Sequence, residues 1–272
     1  FFMLIFPSSL SKNFVFALRN SAGRKPLIIR GARQVGKTWL MKEFGRLAFK
    51  NIVYINFDSN SDIAQLFAGN LDIPRLISGL EIFSRSKIAP QETLLIFDEV
   101  QEAPRALTSL KYFCEEAPEY AIVAAGSLLG VAMHQGTSFP VGKVNFLDLY
   151  PMSFTEFLNA TGNEQLTELL QKGDWQLITG LKDRFIDLLR LYYYIGGMPE
   201  AVQCYLDEKD VFKVREVQKR ILDAYEQDFS KHAPANVVAR IRMVWQSIPS
   251  QLAKENRNFV YGSLRKGARA KD

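Results

Sequence analysis

Eight consecutive residues, Gly31-Ala32-Arg33-Gln34-Val35-Gly36-Lys37-Thr38, have the types and spacing of a loop that grips phosphate. They match the pattern G-x-x-x-x-G-K-[ST], follow an apolar run and open a helical pattern. In that setting the backbone N–H groups of Ala32, Arg33, Gln34 and Val35 converge on phosphate oxygens, and the helix N-terminus adds partial positive charge. Gly31 and Gly36 permit a backbone course and a close approach that a side chain would block. Lys37 is expected to reach the β and γ phosphates, and Thr38 to ligate magnesium through its hydroxyl. Trp39 closes the segment and, with Phe44, is expected in the core rather than stacked on a base. ATP and Mg2+ are therefore the expected ligands.

A second cluster lies at Thr93-Leu94-Leu95-Ile96-Phe97-Asp98-Glu99, an apolar run that ends in two adjacent acids. Carboxylates at the end of a buried strand are costly without a partner, and a bound magnesium ion supplies one. Asp98 is expected to hold the metal, and Glu99 to orient and deprotonate the attacking water. Ser127, after the run Ala121 to Ala125, is a candidate polar sensor of the γ-phosphate. Developing charge on that phosphate needs a further cation, from this chain or a neighbour. Arg33, Arg105 and Lys143 are the candidates, and an oligomer is thereby left open.

These residues need a scaffold, and the apolar periodicity describes one. Short apolar runs at Leu27 to Arg30, Ile52 to Phe57, Leu94 to Phe97, Ala121 to Ala125 and Val144 to Leu149 alternate with helical patterns at Lys37 to Ala48, Asp72 to Ser86 and Arg105 to Glu116. That alternation predicts an α/β domain with a parallel sheet flanked by helices. After Tyr150-Pro151 the pattern turns helical, over Phe154 to Leu158, Gln165 to Gln171, Leu181 to Tyr194 and Val211 to Tyr225. Gly196-Gly197-Met198-Pro199 predicts a tight connection. Two shorter helices are expected at Asn236 to Gln246 and Pro249 to Lys254, with a turn at Ser247 to Pro249.

The 272 residues are 47% apolar and carry a net charge of +5. That is enough apolar material for one large or two modest domains. The apolar opening Phe1 to Phe6 is too short for a signal peptide or a membrane span and is expected to be a strand or helix edge. Cys114 and Cys204 stand far apart, and the histidines are His134 and His232. Neither a disulfide framework nor a zinc site nor a Ser-His-Asp hydrolase is expected, and a cytoplasmic, disulfide-free protein is. Positive charge collects at Lys254, Arg257, Arg265, Lys266, Arg269 and Lys271, a segment that could meet a nucleic acid backbone.

With these residues assembled, the chain resembles the prokaryotic AAA-like P-loop ATPases that carry a C-terminal domain of unknown function numbered 4143. The resemblance rests on Lys25 to Thr38, Phe97-Asp98-Glu99-Val100-Gln101, Ala125-Gly126-Ser127, Leu149 to Phe157 and Tyr194-Ile195-Gly196-Gly197-Met198-Pro199-Glu200. It implies a P-loop core with strands ordered 5-1-4-3-2, then a helical extension and the start of a winged-helix-like segment. The corresponding domains are residues 1–158, 159–231 and 232–272. Similar proteins often have arginine where this chain has Lys143, and lysine lacks the planar fork of a guanidinium. Starting at Phe1 and stopping at Asp272, the chain is expected to be a fragment.

The expected function is ATP hydrolysis used as a conformational switch, with a protein partner left unidentified. The alternative is a nucleic-acid-binding regulator in which ATP only sets conformation. A small-molecule kinase would share the loop, but the adjacent Asp98-Glu99 pair argues for water as the acceptor.

Overall fold

The computed structural model describes residues 23–126, 142–232, 235–254, 258–264, 267 and 269. Strands β1 (Leu27–Gly31), β2 (Asn51–Asn56), β3 (Thr93–Asp98), β4 (Ala121–Ala125) and β5 (Asn145–Leu149) form one sheet, β2-β3-β4-β1-β5. Every pairing is parallel. From the opposite edge the same order reads 5-1-4-3-2.

Helix α1 (Lys37–Ala48) lies on one face, where Leu40, Met41 and Phe44 pack with Leu27, Ile29, Leu94, Ile96 and Val123. Helices α2 (Ser61–Ala68), α3 (Ile73–Ser84) and α4 (Pro104–Glu116) line the other, with Phe67, Leu76, Leu80, Leu110 and Phe113 against Ile28, Val53, Leu95 and Phe97. Successive strand residues point to opposite faces, so a strand covered on both sides must be apolar at nearly every position. β3 is buried throughout, and this is why its terminal Asp98 stands out. Phe57, Phe67 and Phe97 meet edge to face, with centroids 5.7, 5.7 and 5.8 Å apart, and anchor α2 beneath the end of β3.

A helical part follows: α5 (Phe154–Ala160), α6 (Glu164–Lys172), α7 (Trp175–Gly180), α8 (Lys182–Ile195), α9 (Pro199–Glu208), α10 (Val211–His232) and α11 (Ala235–Leu252). Ser153 and Glu156 form a reciprocal capping box that starts α5 immediately after Pro151. The chain divides into two compact units between Arg215 and Glu216, within α10. Among the described residues no helix is long and apolar enough to cross a membrane.

Three short helices, α2, α7 and α9, were not anticipated from the sequence. At the C-terminal end the expected pair of helices with a turn at Ser247 to Pro249 is one continuous helix, α11, with Pro249 inside it. A proline near a helix end removes a single N–H bond, and the helix carries on past it, with Ala253 N donating to Pro249 O at 3.1 Å. Ser247 Oγ and Ser250 Oγ bond back to Val244 O and Ser247 O instead of opening a turn. Beyond α11, the regular structure among the described residues is a 3-10 turn, Tyr261–Ser263, held by buried Gln251 through Val260 and Ser263. Phe1 to Phe6, His134 and Ser127 lie outside the described residues, as does much of the basic tail.

Candidate functional site

The loop leaves the C-terminal edge of the sheet, where Gly31 pairs with Leu149 of β5. A Cβ on Gly31 would stand 2.3 Å from Leu149 O, so only glycine allows the strands to close here. Gln34 and Gly36 take positive φ values of 64° and 98°, which turn the chain so that α1 begins at Lys37. Lys37 is 9% exposed, and its Nζ donates to Gly31 O at 2.9 Å and Ala32 O at 2.8 Å. Burial lowers its pKa; the nearby charges of Glu99 and Asp98 work the other way. Among the described residues the ammonium has carbonyl partners but no ion pair. A buried cation of this kind suits a polyanion.

Thr38 Oγ1 donates to Asp98 Oδ2 at 2.6 Å. Asp98 lies on the α1 face because it continues the alternation of Leu94 and Ile96. Its Oδ1 accepts from the Glu99 backbone N–H at 3.1 Å, and its Oδ2 also accepts from Tyr54 Oη at 3.0 Å. Burial, opposed by the Asn56 hydrogen bond and reinforced by Asp98, pushes the Tyr54 phenol up to about 12. The phenol therefore stays a donor. With the Thr38 proton committed to Asp98, the hydroxyl keeps its lone pairs for a hard cation. A hydroxyl and a carboxylate so placed, next to a phosphate loop, are the oxygen donors magnesium uses. Among the described residues no three His, Cys, Asp or Glu side chains cluster as a metal-binding group, so a protein-only metal cage is not formed there.

Glu99 is half-buried and takes a left-handed backbone, φ 51° and ψ 45°. A non-glycine residue pays about 1–2 kcal/mol for that conformation, and such residues concentrate at functional sites. The step ends β3 and sends the chain into the 3-10 turn Val100–Glu102. Gln101 comes round to donate from Nε2 to Glu99 Oε2 at 2.5 Å. Tyr54 and Gln101 both touch the acids and were missed as site residues. For Tyr54 the available signal is a polar aromatic in an apolar strand run that pairs with β3, and for Gln101 it is an amide two positions after the acid.

The structure does not gather every candidate cation. Arg105 donates from Nη2 to Gly69 O at 2.7 Å and from Nε to Phe67 O at 3.3 Å, capping the end of α2. Lys143 pairs with Glu115 at 2.8 Å. It precedes Asn145, which pairs with Leu27 at the start of β1, so it lies at the sheet edge opposite the loop and cannot serve its own chain's phosphates. Arg33 remains in the loop, exposed, with its charge felt at Lys37. Trp39 is half-buried.

The two later motifs clasp each other beside the loop. Met152 N donates to Gly197 O at 2.7 Å, and Tyr192 Oη donates to Met152 O at 2.7 Å. A Cβ on Gly197 would stand 2.2 Å from Met152 O. Pro199 comes two residues later, its Cγ 3.8 Å from where a Cβ on Gly36 would sit. The start of α9 thus lies beside the phosphate loop. Gly31, Ala32, Leu149, Tyr150 and Pro151 help line a cleft of about 320 Å³.

Residues 23–158 match the family model described as AAA domain. Residues 186–272 match the model described as Domain of unknown function (DUF8612), in place of the domain numbered 4143 that the resemblance implied. No curated protein matches the sequence. Among solved structures, the Walker-type ATPase paby2304 of Pyrococcus abyssi is similar at 14% identity and a TM-score of 0.48, over 91% of this chain and 77% of that one. AMPPCP-bound DnaA from Aquifex aeolicus is 13% identical, with a TM-score of 0.45, over 97% and 82%. Drosophila ORC bound to DNA is 14% identical, with a TM-score of 0.43, over 96% and 72%.

Proposed function

The chain belongs to the AAA domain family, and on that premise we propose that it binds ATP with magnesium on Gly31 to Thr38 and hydrolyses it as a conformational switch. The observation that carries this reading is the Thr38 to Asp98 contact of 2.6 Å beside the buried ammonium of Lys37. Lys37 and the loop amides bind the β and γ phosphates, while Thr38 and Asp98 hold the metal. Magnesium, when bound, neutralises phosphate charge. Glu99 accepts a proton from water as its oxygen bonds to the γ-phosphorus. The bond to the β-γ bridging oxygen breaks, and ADP and phosphate leave. Ser127 is assigned the role of sensing the γ-phosphate. The nucleobase end is assigned to the cleft beside Tyr150, which shares Gly31 and Ala32 with the loop.

Arg33, or a basic side chain from a neighbouring copy in an oligomer, supplies the remaining cation. The approach of Pro199 to the loop is the route by which nucleotide state reaches the helical part. The test is phosphate release with magnesium and ATP. Turnover by wild type that a Glu99→Gln variant lacks supports the reading; equal release by the two removes Glu99 as the base.

A second reading rests on the basic residues from Lys254 to Lys271 and on the expected winged-helix-like character of residues 232–272. In it the chain binds nucleic acid, and ATP only sets conformation. Binding to duplex DNA or RNA that weakens steeply with salt supports it, and no binding at low salt, where counterion release favours association most, removes it.

A further inference from the structure

Gln101 has an arrangement that core packing does not explain. It is 6% exposed, and its buried Oε1 has no hydrogen-bond partner among the described residues. A methionine of similar volume would fill the same space with no acceptor left unpaired. Buried polar groups in native proteins are nearly always paired, so a group kept unpaired needs a reason elsewhere in the same side chain.

The other end of the amide supplies that reason. Nε2 donates to Glu99 Oε2 at 2.5 Å. Turning the amide over would set Oε1 against a carboxylate, so its orientation is fixed by Glu99. The left-handed step at Glu99 and the 3-10 turn after it bring the two side chains together over a separation of two residues. Glu99 Oε1 makes no hydrogen bond among the described residues. One carboxylate oxygen is held and the other is left to act.

We propose that Gln101 is the positioning residue for Glu99, fixing Oε2 so that Oε1 is presented to the water that attacks the γ-phosphate. This rests on the reading of Glu99 as the base. A base held by one charge-assisted hydrogen bond in a buried turn keeps its aim, whereas a freely rotating carboxylate samples unproductive orientations.

The test compares wild type, Gln101→Met, Gln101→Glu, Glu99→Gln and the double variant Glu99→Gln/Gln101→Met. It measures phosphate release, binding of labelled ATP with magnesium, and melting temperature. Gln101→Met and Gln101→Glu are expected to lower kcat at least about tenfold and to leave the ATP Kd within about twofold. In the Glu99→Gln background, Gln101→Met is expected to change turnover by less than about twofold, because the group it positions is already disabled. Unchanged kcat in both single variants, with Glu99→Gln impaired, overturns the positioning role and leaves the base standing. A further fall in the double variant as large as in the single one also overturns it, since a packing role would add. Full activity in Glu99→Gln removes the base and this proposal together. If Gln101→Met shows no melting transition, Gln101→Glu, alone and combined with Glu99→Gln, decides between the same outcomes.

Discussion

Thr38 Oγ1 lies 2.6 Å from Asp98 Oδ2, although β1, which leads to Thr38, and β3, which ends at Asp98, are not neighbours in the sheet. β4 runs between them and ends in Ala125, buried on the same face as Asp98's neighbours. A methyl group at that point lets the hydroxyl and the carboxylate meet across it. The same bond that closes the fold over β4 defines the proposed metal site.

Asp98→Asn and Thr38→Ala should each reduce the dependence of ATP binding on magnesium. Titrations of labelled ATP with magnesium and with chelator measure it. The ratio of the two affinities is expected to fall at least about tenfold in either variant, the size of one lost charge-assisted contact. An unchanged ratio places the metal elsewhere.

Gly31→Ala and Gly36→Ala separate two reasons for glycine. At Gly31 the added methyl would meet Leu149 O at 2.3 Å, and the β5 backbone, paired with β1, resists the shift. At Gly36 the added methyl would meet Pro199 Cγ at an ordinary 3.8 Å, and the cost is the positive φ of 98°. Gly36→Ala should lose about 1–2 kcal/mol by chemical denaturation. Gly31→Ala should lose more than that or fail to fold. The reverse ranking contradicts the close approach at Leu149.

The clasp between Met152, Tyr192 and Gly197 links the helical part to the loop. Burial, with Glu156 and Tyr193 adding to it, raises the Tyr192 pKa and keeps the phenol a donor. Tyr192→Phe should cost about 1 kcal/mol of stability, the net worth of one hydrogen bond. Gly197→Ala, which sets a methyl 2.2 Å from Met152 O, should also blunt the change in proteolysis of the helical part on adding ATP. If the protease pattern of Gly197→Ala responds to ATP as wild type does, nucleotide state does not travel through this contact.

Arg105→Ala tests whether that arginine serves the fold or the phosphate. Its guanidinium sits on the last carbonyls of α2, where a cation meets the negative end of the helix. Stability should fall by about 1–2 kcal/mol, and turnover per folded molecule should stay within about threefold. A loss of turnover with stability intact returns Arg105 to the catalytic candidates.

The sequence revealed the scaffold well where the physics is local and periodic. β4 occupies Ala121–Ala125 and α1 occupies Lys37–Ala48, the bounds expected from their apolar spacing. The loop was legible because G-x-x-x-x-G-K-T restricts backbone and side chain together. Lys143 looked like a phosphate partner in its own segment, and it is the parallel pairing of Asn145 with Leu27 that puts it at the end of the sheet opposite the loop. Tyr54 and Gln101 were hidden for a similar reason. Each looks ordinary in its own segment and becomes part of the site only through β2 pairing with β3, or through the left-handed turn at Glu99. Pro249 misled because proline is read as a stop, whereas near the end of α11 it removes one bond and the helix tolerates it.

The most direct measurement is equilibrium binding of labelled ATP with magnesium to wild type and to Lys37→Ala. Saturable binding by wild type and at least about hundredfold weaker binding by the variant are expected, since an ammonium facing phosphate in a buried site is worth about 3 kcal/mol. Wild type that fails to saturate at millimolar ATP, or a variant that binds as tightly, would contradict it.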